Sequence, residues 1–328
     1  MVAMRSSILA VPLLLTLAAC STPATPGTTG APGASAPAVI ATTTQLGSIV
    51  GDITACAGTT SATLMGPGDD PHDFSLASNQ VASLLKAPLV VASGLGLEAG
   101  IASTLENAKA DGATIYEVAP HLDPLSYADL EARQEARRQG DAHADEGDEH
   151  TEGTYDPHVH MDVARMAKAA ALIGDELAKA TGVQKYAGCG TEVETKLQQT
   201  DAEVRQILAA IPAEKRVLIT DHEAYHYFAD AYGFQIAGVV IPGGSTDAAP
   251  SSSELADLVK VVREDKVSAI FSNNTVNPRL VQAVAQEAGT DIKVVQLYEG
   301  SVGPAGSGAE TYSGMMLTNA RLIADALK

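Results

Sequence analysis

Basic residues are in short supply in this chain: 21 Lys and Arg face 40 Asp and Glu, a formal net charge of −19. Nothing basic is clustered to neutralise phosphates, so nucleic acid is not an expected partner. Cysteine is scarcer still, with Cys20, Cys56 and Cys189 making three in all. None has the paired spacing of a thiolate zinc site, which argues against a cysteine-ligated metal. Beyond the N-terminal segment no apolar run approaches bilayer-spanning length, and no internal repeat of short period is visible. What is left is an expected water-soluble body whose acidic excess attracts cations and also favours solubility.

The N-terminus has the make-up of an export signal. Arg5 supplies the positive charge, residues 8–17 the apolar core, and Leu17-Ala18-Ala19-Cys20 the processing site. A Cys directly after Leu-Ala-Ala resembles the lipobox of bacterial lipoproteins, in which the Cys is lipidated and becomes the mature N-terminus. An ordinary signal peptide with an incidental Cys is the alternative. Residues 21–37, rich in Thr, Pro, Gly, Ala and Ser, carry too little apolar surface to fold and are expected to be a tether. If Cys20 is lipidated, Cys56 and Cys189 remain as an even pair in an oxidising location. A disulfide is the first expectation for them, two free buried thiols the second.

Two series of alternating strands and helices follow. Residues 39–43, 62–65, 89–92 and 114–118 are short apolar or β-branched runs, with helical stretches such as 78–85 between them. The pattern restarts with strands at 216–220, 235–240, 267–271 and 293–297, alternating with helices near 225–232, 253–264 and 278–288. Such alternation predicts parallel sheets with right-handed crossovers. Between the series, residues 190–211 form one continuous helical candidate ending at Pro212, with Val193, Leu197, Val204, Leu208 and Ile211 on its apolar stripe. The expected fold is α/β, two lobes with parallel sheets flanked by helices, joined by one long backbone helix. The lobes span 38–189 and 213–328, and the linking helix spans 190–212.

Three histidines far apart in the chain sit in segments suited to presenting a metal ligand: His72, His158 and His222. Imidazole is a common ligand for zinc and other borderline divalent metals. Dispersed ligands imply a site assembled by tertiary structure. The surrounding segments resemble the substrate-binding lipoproteins of metal ABC importers, in particular their zinc-specific branch. Asp70-Pro71-His72-Asp73-Phe74 is similar to the first ligand motif of that family, and residues 89–98 to the strand and glycine turn that follow it. Asp156-Pro157-His158 resembles the second motif and Asp221-His222-Glu223-Ala224-Tyr225 the third. Pro250-Ser251, Ile270-Phe271 and Thr311-Tyr312 fit later signatures, so the resemblance runs in order through residues 39–328.

The resemblance implies metal in a cleft between two α/β lobes and delivery of Zn²⁺, as transported ligand, to an ABC permease in the membrane. A metal-donor protein is a further candidate partner. It implies no catalysis and an extracytoplasmic, lipid-anchored location. His in the third motif points to zinc, and nitrogen donors favour zinc over manganese. At the fourth ligand the chain departs from the family: Gly300 falls where Asp is expected, and Asn273 replaces another Glu. Glu299 is the expected fourth ligand, with three His and a water as the alternative. His121 and His226 are expected to be structural. His160, two residues after His158, is a candidate auxiliary metal contact. So are His143 and His150, in the His-rich acidic loop 141–152, which has the composition of a disordered segment.

Two other function classes fit parts of the sequence. His222-Glu223-Ala224-Tyr225-His226 matches the His-Glu-x-x-His motif of zinc proteases in letter. That motif needs a helix with both His on one face, whereas here it directly follows a predicted strand. A metal-sequestering or adhesin-like surface protein is the other class.

Overall fold

The structure, a computed structural model, describes residues 37–138, 155–264, 267–289 and 292–328. The leader, the tether, Cys20 and the loop with His143 and His150 lie outside the described residues. The first lobe runs β1 (Val39–Ala41), α1 (Thr44–Ala57), β2 (Ser61–Thr63), α2 (Ser78–Leu84), β3 (Val90–Ala92), α3 (Ala102–Ala110), β4 (Ile115–Glu117), α4 (Tyr127–Arg138) and α5 (Val163–Thr181). Then comes α6 (Lys185–Leu208). The second lobe runs β5 (Val217–Thr220), α7 (His226–Tyr232), β6 (Gln235–Val239), α8 (Ser252–Glu264), β7 (Ala269–Asn273), α9 (Arg279–Ala288), β8 (Lys293–Leu297) and α10 (Tyr312–Leu327).

Each lobe holds a four-stranded parallel sheet, ordered β2-β1-β3-β4 in the first and β6-β5-β7-β8 in the second. The two orders are the same when each series is counted from its own first strand. Ile40 pairs with Val90, and Ala269 to Asn273 pair in step with Lys293 to Leu297. In open parallel sheets ligands bind beyond the carboxyl ends of the strands, where the strand order reverses. Here that place is the β1/β3 junction in one lobe and the β5/β7 junction in the other.

Local chemistry explains the element ends. Thr43 caps α1, its hydroxyl accepting from Leu46 N at 3.4 Å, and Gly58 closes the helix in the left-handed region at φ 82°. Leu46, Ile49, Val50 and Ile53, spaced at three and four, turn the helix towards the core. Asp162 caps α5 by accepting from Ala164 N and Arg165 N.

The linking helix starts earlier than residue 190, at Lys185, and ends at Leu208. Gly190 is an interior contact point: a Cβ there would lie 2.7 Å from Ala170 O, and one on Gly174 would lie 2.8 Å from the Gly190 Cα. Only paired glycines let the α5 and α6 backbones meet this closely. The expected stripe of Val193, Leu197, Val204, Leu208 and Ile211 is buried throughout.

Cys56 and Cys189 form a disulfide with Cα atoms 5.8 Å apart, joining the last turn of α1 to α6. Near the other end of α1, its side chains hold the chain's C-terminal segment. Thr44 Oγ1 accepts from Val302 N at 2.9 Å, Ser48 Oγ accepts from Tyr312 N at 2.9 Å, and Gln45 Nε2 donates to Glu299 O at 2.7 Å. The two lobes are therefore stitched together beside the cleft as well as linked through α6. Among the described residues no helix is long and apolar enough to cross a membrane.

Candidate metal centre

His72, His158 and His222 come together from three separate loops. Each is at most 3 % exposed, and each offers one ring nitrogen within 4.8 Å of the other two. His72 follows β2, and its loop is pinned by Asp70. The Asp70 carboxylate accepts from His72 N at 3.0 Å through one oxygen and from Thr246 Oγ1, in the second lobe, at 2.8 Å through the other. His158 precedes a tight turn, Val159–Met161, that leads into α5. His222 directly follows β5, beside the β5/β7 switch point.

Two of the three imidazoles are oriented by an aspartate just ahead of them in sequence. Asp156 Oδ1 lies 2.8 Å from His158 Nδ1 and also accepts from His158 N at 2.9 Å. Asp221 Oδ1 lies 3.1 Å from His222 Nδ1, while Asp221 Oδ2 accepts from Asn273 N at 2.6 Å. In the neutral ring a carboxylate on Nδ1 places the one proton there and leaves Nε2 bare for an electrophile. His222 Nε2 is buried with no hydrogen-bond partner, the condition a ligand atom requires. His72 Nε2 and His158 Nε2 are 3.2 Å apart. Two nitrogens each ~2.0–2.1 Å from a tetrahedral Zn²⁺ stand about 3.3 Å apart, so this edge already fits such an ion.

Glu299 borders this cluster on the His222 side, outside the set whose donor atoms all lie within 4.8 Å of one another. It is buried, with Oε2 3.7 Å from His222 Nε2. The side chain turns inward because the strand has ended at Leu297 and the backbone is held on both sides. Glu299 N donates to Asn274 Oδ1 at 3.1 Å, and Gln45 takes the carbonyl. Gly300 has no room for a side chain: a Cβ there would lie 2.4 Å from Thr275 Oγ1 and 3.2 Å from Asn273 Nδ2. This explains why position 300 holds no acid. We expect Gly300→Asp to cost about 1–3 kcal/mol of stability through overpacking, without tightening metal binding. Urea unfolding of the metal-free protein and a metal titration check this; unchanged stability with tighter binding would refute it.

Electrostatics separate the four groups. Burial, aided by the facing His158 and His222, lowers the His72 pKa to about 3. For His222 burial acts in the same direction, but Glu299, Asp221 and Asp70 outweigh it and raise the pKa to about 9. Burial would raise Glu299, yet His222 and the hydrogen bond with His160 hold it at about 2. Asp156 also stays well below the usual carboxylate range, because contacts with His158 and His226 override its burial. Without metal, His222 and Glu299 therefore face each other as an ion pair, beside a neutral His72.

The remaining histidines fall into place individually. His160 is buried, and its Nε2 lies 3.1 Å from Glu299 Oε1, outside the three-His cluster. His226 Nδ1 lies 3.3 Å from Asp156 Oδ2, and His121 stacks on Tyr116 at 5.2 Å. The His-Glu-x-x-His match does not form a helical pair, since His222 lies in the loop and α7 begins only at His226. The Tyr227 hydroxyl, which donates to Asp156 O at 3.0 Å and accepts from Leu125 N at 2.9 Å, has no role assigned from sequence beyond its place after the third motif. Gln45 was not singled out from sequence. The aspartates ahead of His158 and His222 were visible in the motifs, and an acid one or two residues from a ligand histidine is the signal that marks them.

A two-lobed α/β body in which buried imidazoles from both lobes converge has the make-up of a binding protein for a metal cation. The family model for the zinc-uptake complex component A, periplasmic, matches residues 39–326, and the chain belongs to that family. Among its relatives, the manganese-binding lipoprotein MntA of Bacillus subtilis is 30% identical over 273 residues, covering 81% of each chain. The zinc-binding protein TroA of Treponema pallidum is 28% identical over 272 residues, covering 80% of each. The solved structure of that periplasmic zinc-binding protein superposes with a TM-score of 0.72 at 26% identity, covering 89% of this chain and 99% of its own. The chain is thus a metal-binding component of ABC import.

Proposed function

We propose that the protein binds Zn²⁺ in the cleft through His72, His158, His222 and Glu299 and hands it to an ABC permease. The observation that carries this is the donor set: three buried imidazoles with Nδ1 of two fixed by aspartates, and one carboxylate. Nitrogen-rich, four-donor sites suit zinc, whereas manganese favours more oxygen donors. In this account residues 1–20 are a lipoprotein leader and Cys20 carries the anchor. Residues 21–37 tether lobe 38–189, and α6 leads on to the second lobe at the outer face of the membrane. The titration that tests the metal is direct: one equivalent of Zn²⁺ binds tightly and Mn²⁺ poorly. Equal or tighter Mn²⁺ binding would overturn the assignment and favour the activity named for the Bacillus relative.

Binding should release a proton. His222 carries one below about pH 9 in the metal-free protein and must lose it to coordinate, whereas His72 is already neutral above about pH 3. Near pH 7.5 we expect about one proton released per Zn²⁺, with apparent affinity rising about tenfold per pH unit until pH 9. Calorimetry in buffers of different ionisation enthalpy reads this number; zero protons would contradict a charged His222.

His143 and His150 are proposed as weak auxiliary metal contacts feeding the cleft. Deleting residues 141–152 should leave the tight equivalent and remove weaker ones. Loss of the tight equivalent would instead give the loop a primary ligand.

A further inference from the structure

Glu299 arrives at the cluster with both oxygens already engaged. His160 Nε2 lies 3.1 Å from Oε1, and Asn273 Nδ2 donates to Oε2 at 2.8 Å. Oε2 is the oxygen 3.7 Å from His222 Nε2. Neither partner is loosely placed. Asn273 Oδ1 accepts from Thr275 N at 3.0 Å, Thr275 Oγ1 at 3.1 Å and Gly300 N at 3.2 Å. Because that end of the amide can only accept, the network fixes the amide group with Nδ2 towards Glu299. The His160 backbone is held in turn, its carbonyl accepting from Tyr312 Oη at 2.8 Å. Both His160 and Asn273 are at most 3 % exposed, so solvent does not compete for the carboxylate.

We propose that His160 and Asn273 are positioning residues that hold Glu299 by one oxygen each and present Oε2 alone to the ion. This rests on the reading of Glu299 as a zinc ligand and adds to it the origin of selectivity. A carboxylate turned away at Oε1 supplies one donor, which completes a tetrahedron with three imidazoles. A carboxylate free to rotate would supply two, the fifth donor that suits larger, oxygen-preferring cations. His160 thereby acts through Glu299 and not as a ligand. Asn273 matters for being neutral: an acid in its place would repel Glu299 and offer a further oxygen.

The full-length protein, loaded with Co²⁺ as a spectroscopic probe and titrated with Zn²⁺ and Mn²⁺, tests this. Wild type should show the intense visible absorption of tetrahedral Co²⁺. Asn273→Asp should weaken that band and narrow the Zn²⁺/Mn²⁺ affinity ratio at least about tenfold. His160→Ala should lose about 10- to 100-fold in zinc affinity, the usual range for partners behind a ligand. His160→Gln, which keeps an N–H donor, should recover most of it. In a Glu299→Ala background, His160→Ala should have no further effect, since its action passes through the carboxylate.

Equal losses from His160→Ala in both backgrounds would reduce His160 to a packing role and overturn the proposal. An unchanged Co²⁺ spectrum in Asn273→Asp and His160→Ala, with zinc still weakened by Glu299→Ala, would overturn the positioning while leaving Glu299 a ligand. If Glu299→Ala changed neither spectrum nor affinity, the acid would not be a ligand, and both ideas would fall together.

Discussion

Replacing His222 by alanine should lower zinc affinity by at least ~100-fold, whereas His226→Ala should cost tenfold or less. The contrast follows from position. His222 offers to the cluster an Nε2 that makes no hydrogen bond, so its removal deletes a donor and leaves Glu299 without its facing ring. Losses from residues behind the ligands usually span about 10- to 100-fold, and deletion of a ligand should exceed that range. His226 meets the far oxygen of Asp156, at 3.3 Å, while His158 keeps the near one at 2.8 Å. Its loss loosens an aspartate already fixed through His158. Competition titration with a chromogenic chelator measures both, and similar losses in the two variants would show that the pair acts as a unit.

Replacing Cys56 and Cys189 together by alanine should destabilise the protein by about 2–5 kcal/mol while barely changing zinc affinity. The bridge closes a loop with a sequence separation of 133, and constraint of the unfolded chain at that length is worth up to about 5 kcal/mol. The site should be spared because the bridge is at the far end of α1 from Thr44 and Gln45, about 20 Å along a 14-residue helix. Urea unfolding under matched oxidising conditions gives the stability, and unreduced wild type should contain no alkylatable Cys56 or Cys189. A stability equal to wild type would mean the bridge constrains little.

Much of this architecture was legible because its signals are local. Strands such as Val90–Ala92 fall where the apolar runs predicted, since a parallel strand buried on both faces reads as continuously apolar. His72, His158 and His222 were legible for a different reason, as each lies in a self-contained motif with an aspartate one or two residues ahead of it. The start of α6 was not legible. Gly190 reads locally as a helix beginning, and only the close approach of Gly174 reveals it as a packing point. The environment of Glu299 was hidden most completely. Its partners His160 and Asn273 lie 139 and 26 residues away, and no periodicity encodes a contact between loops. The absence of an acid at Gly300 looked like a gap in the site, yet Thr275 already fills the space.

The ties between α1 and the C-terminal segment join residues 254 to 264 positions apart, and this dictates when the site can exist. A chain delivered from its N-terminus presents His72, then His158, then His222, and Glu299 only near the end of the process. Until then Gln45, Thr44 and Ser48 lack their C-terminal partners, and His222 lacks the carboxylate that faces it. Contacts of such range are the slow ones to form, because the loop they close must be ordered first. Tight capture is therefore a property of the finished chain in the compartment where it folds. On the reading of Glu299 as a ligand, a product truncated ahead of it would keep all three histidines and lack both the fourth donor and the ties to α1.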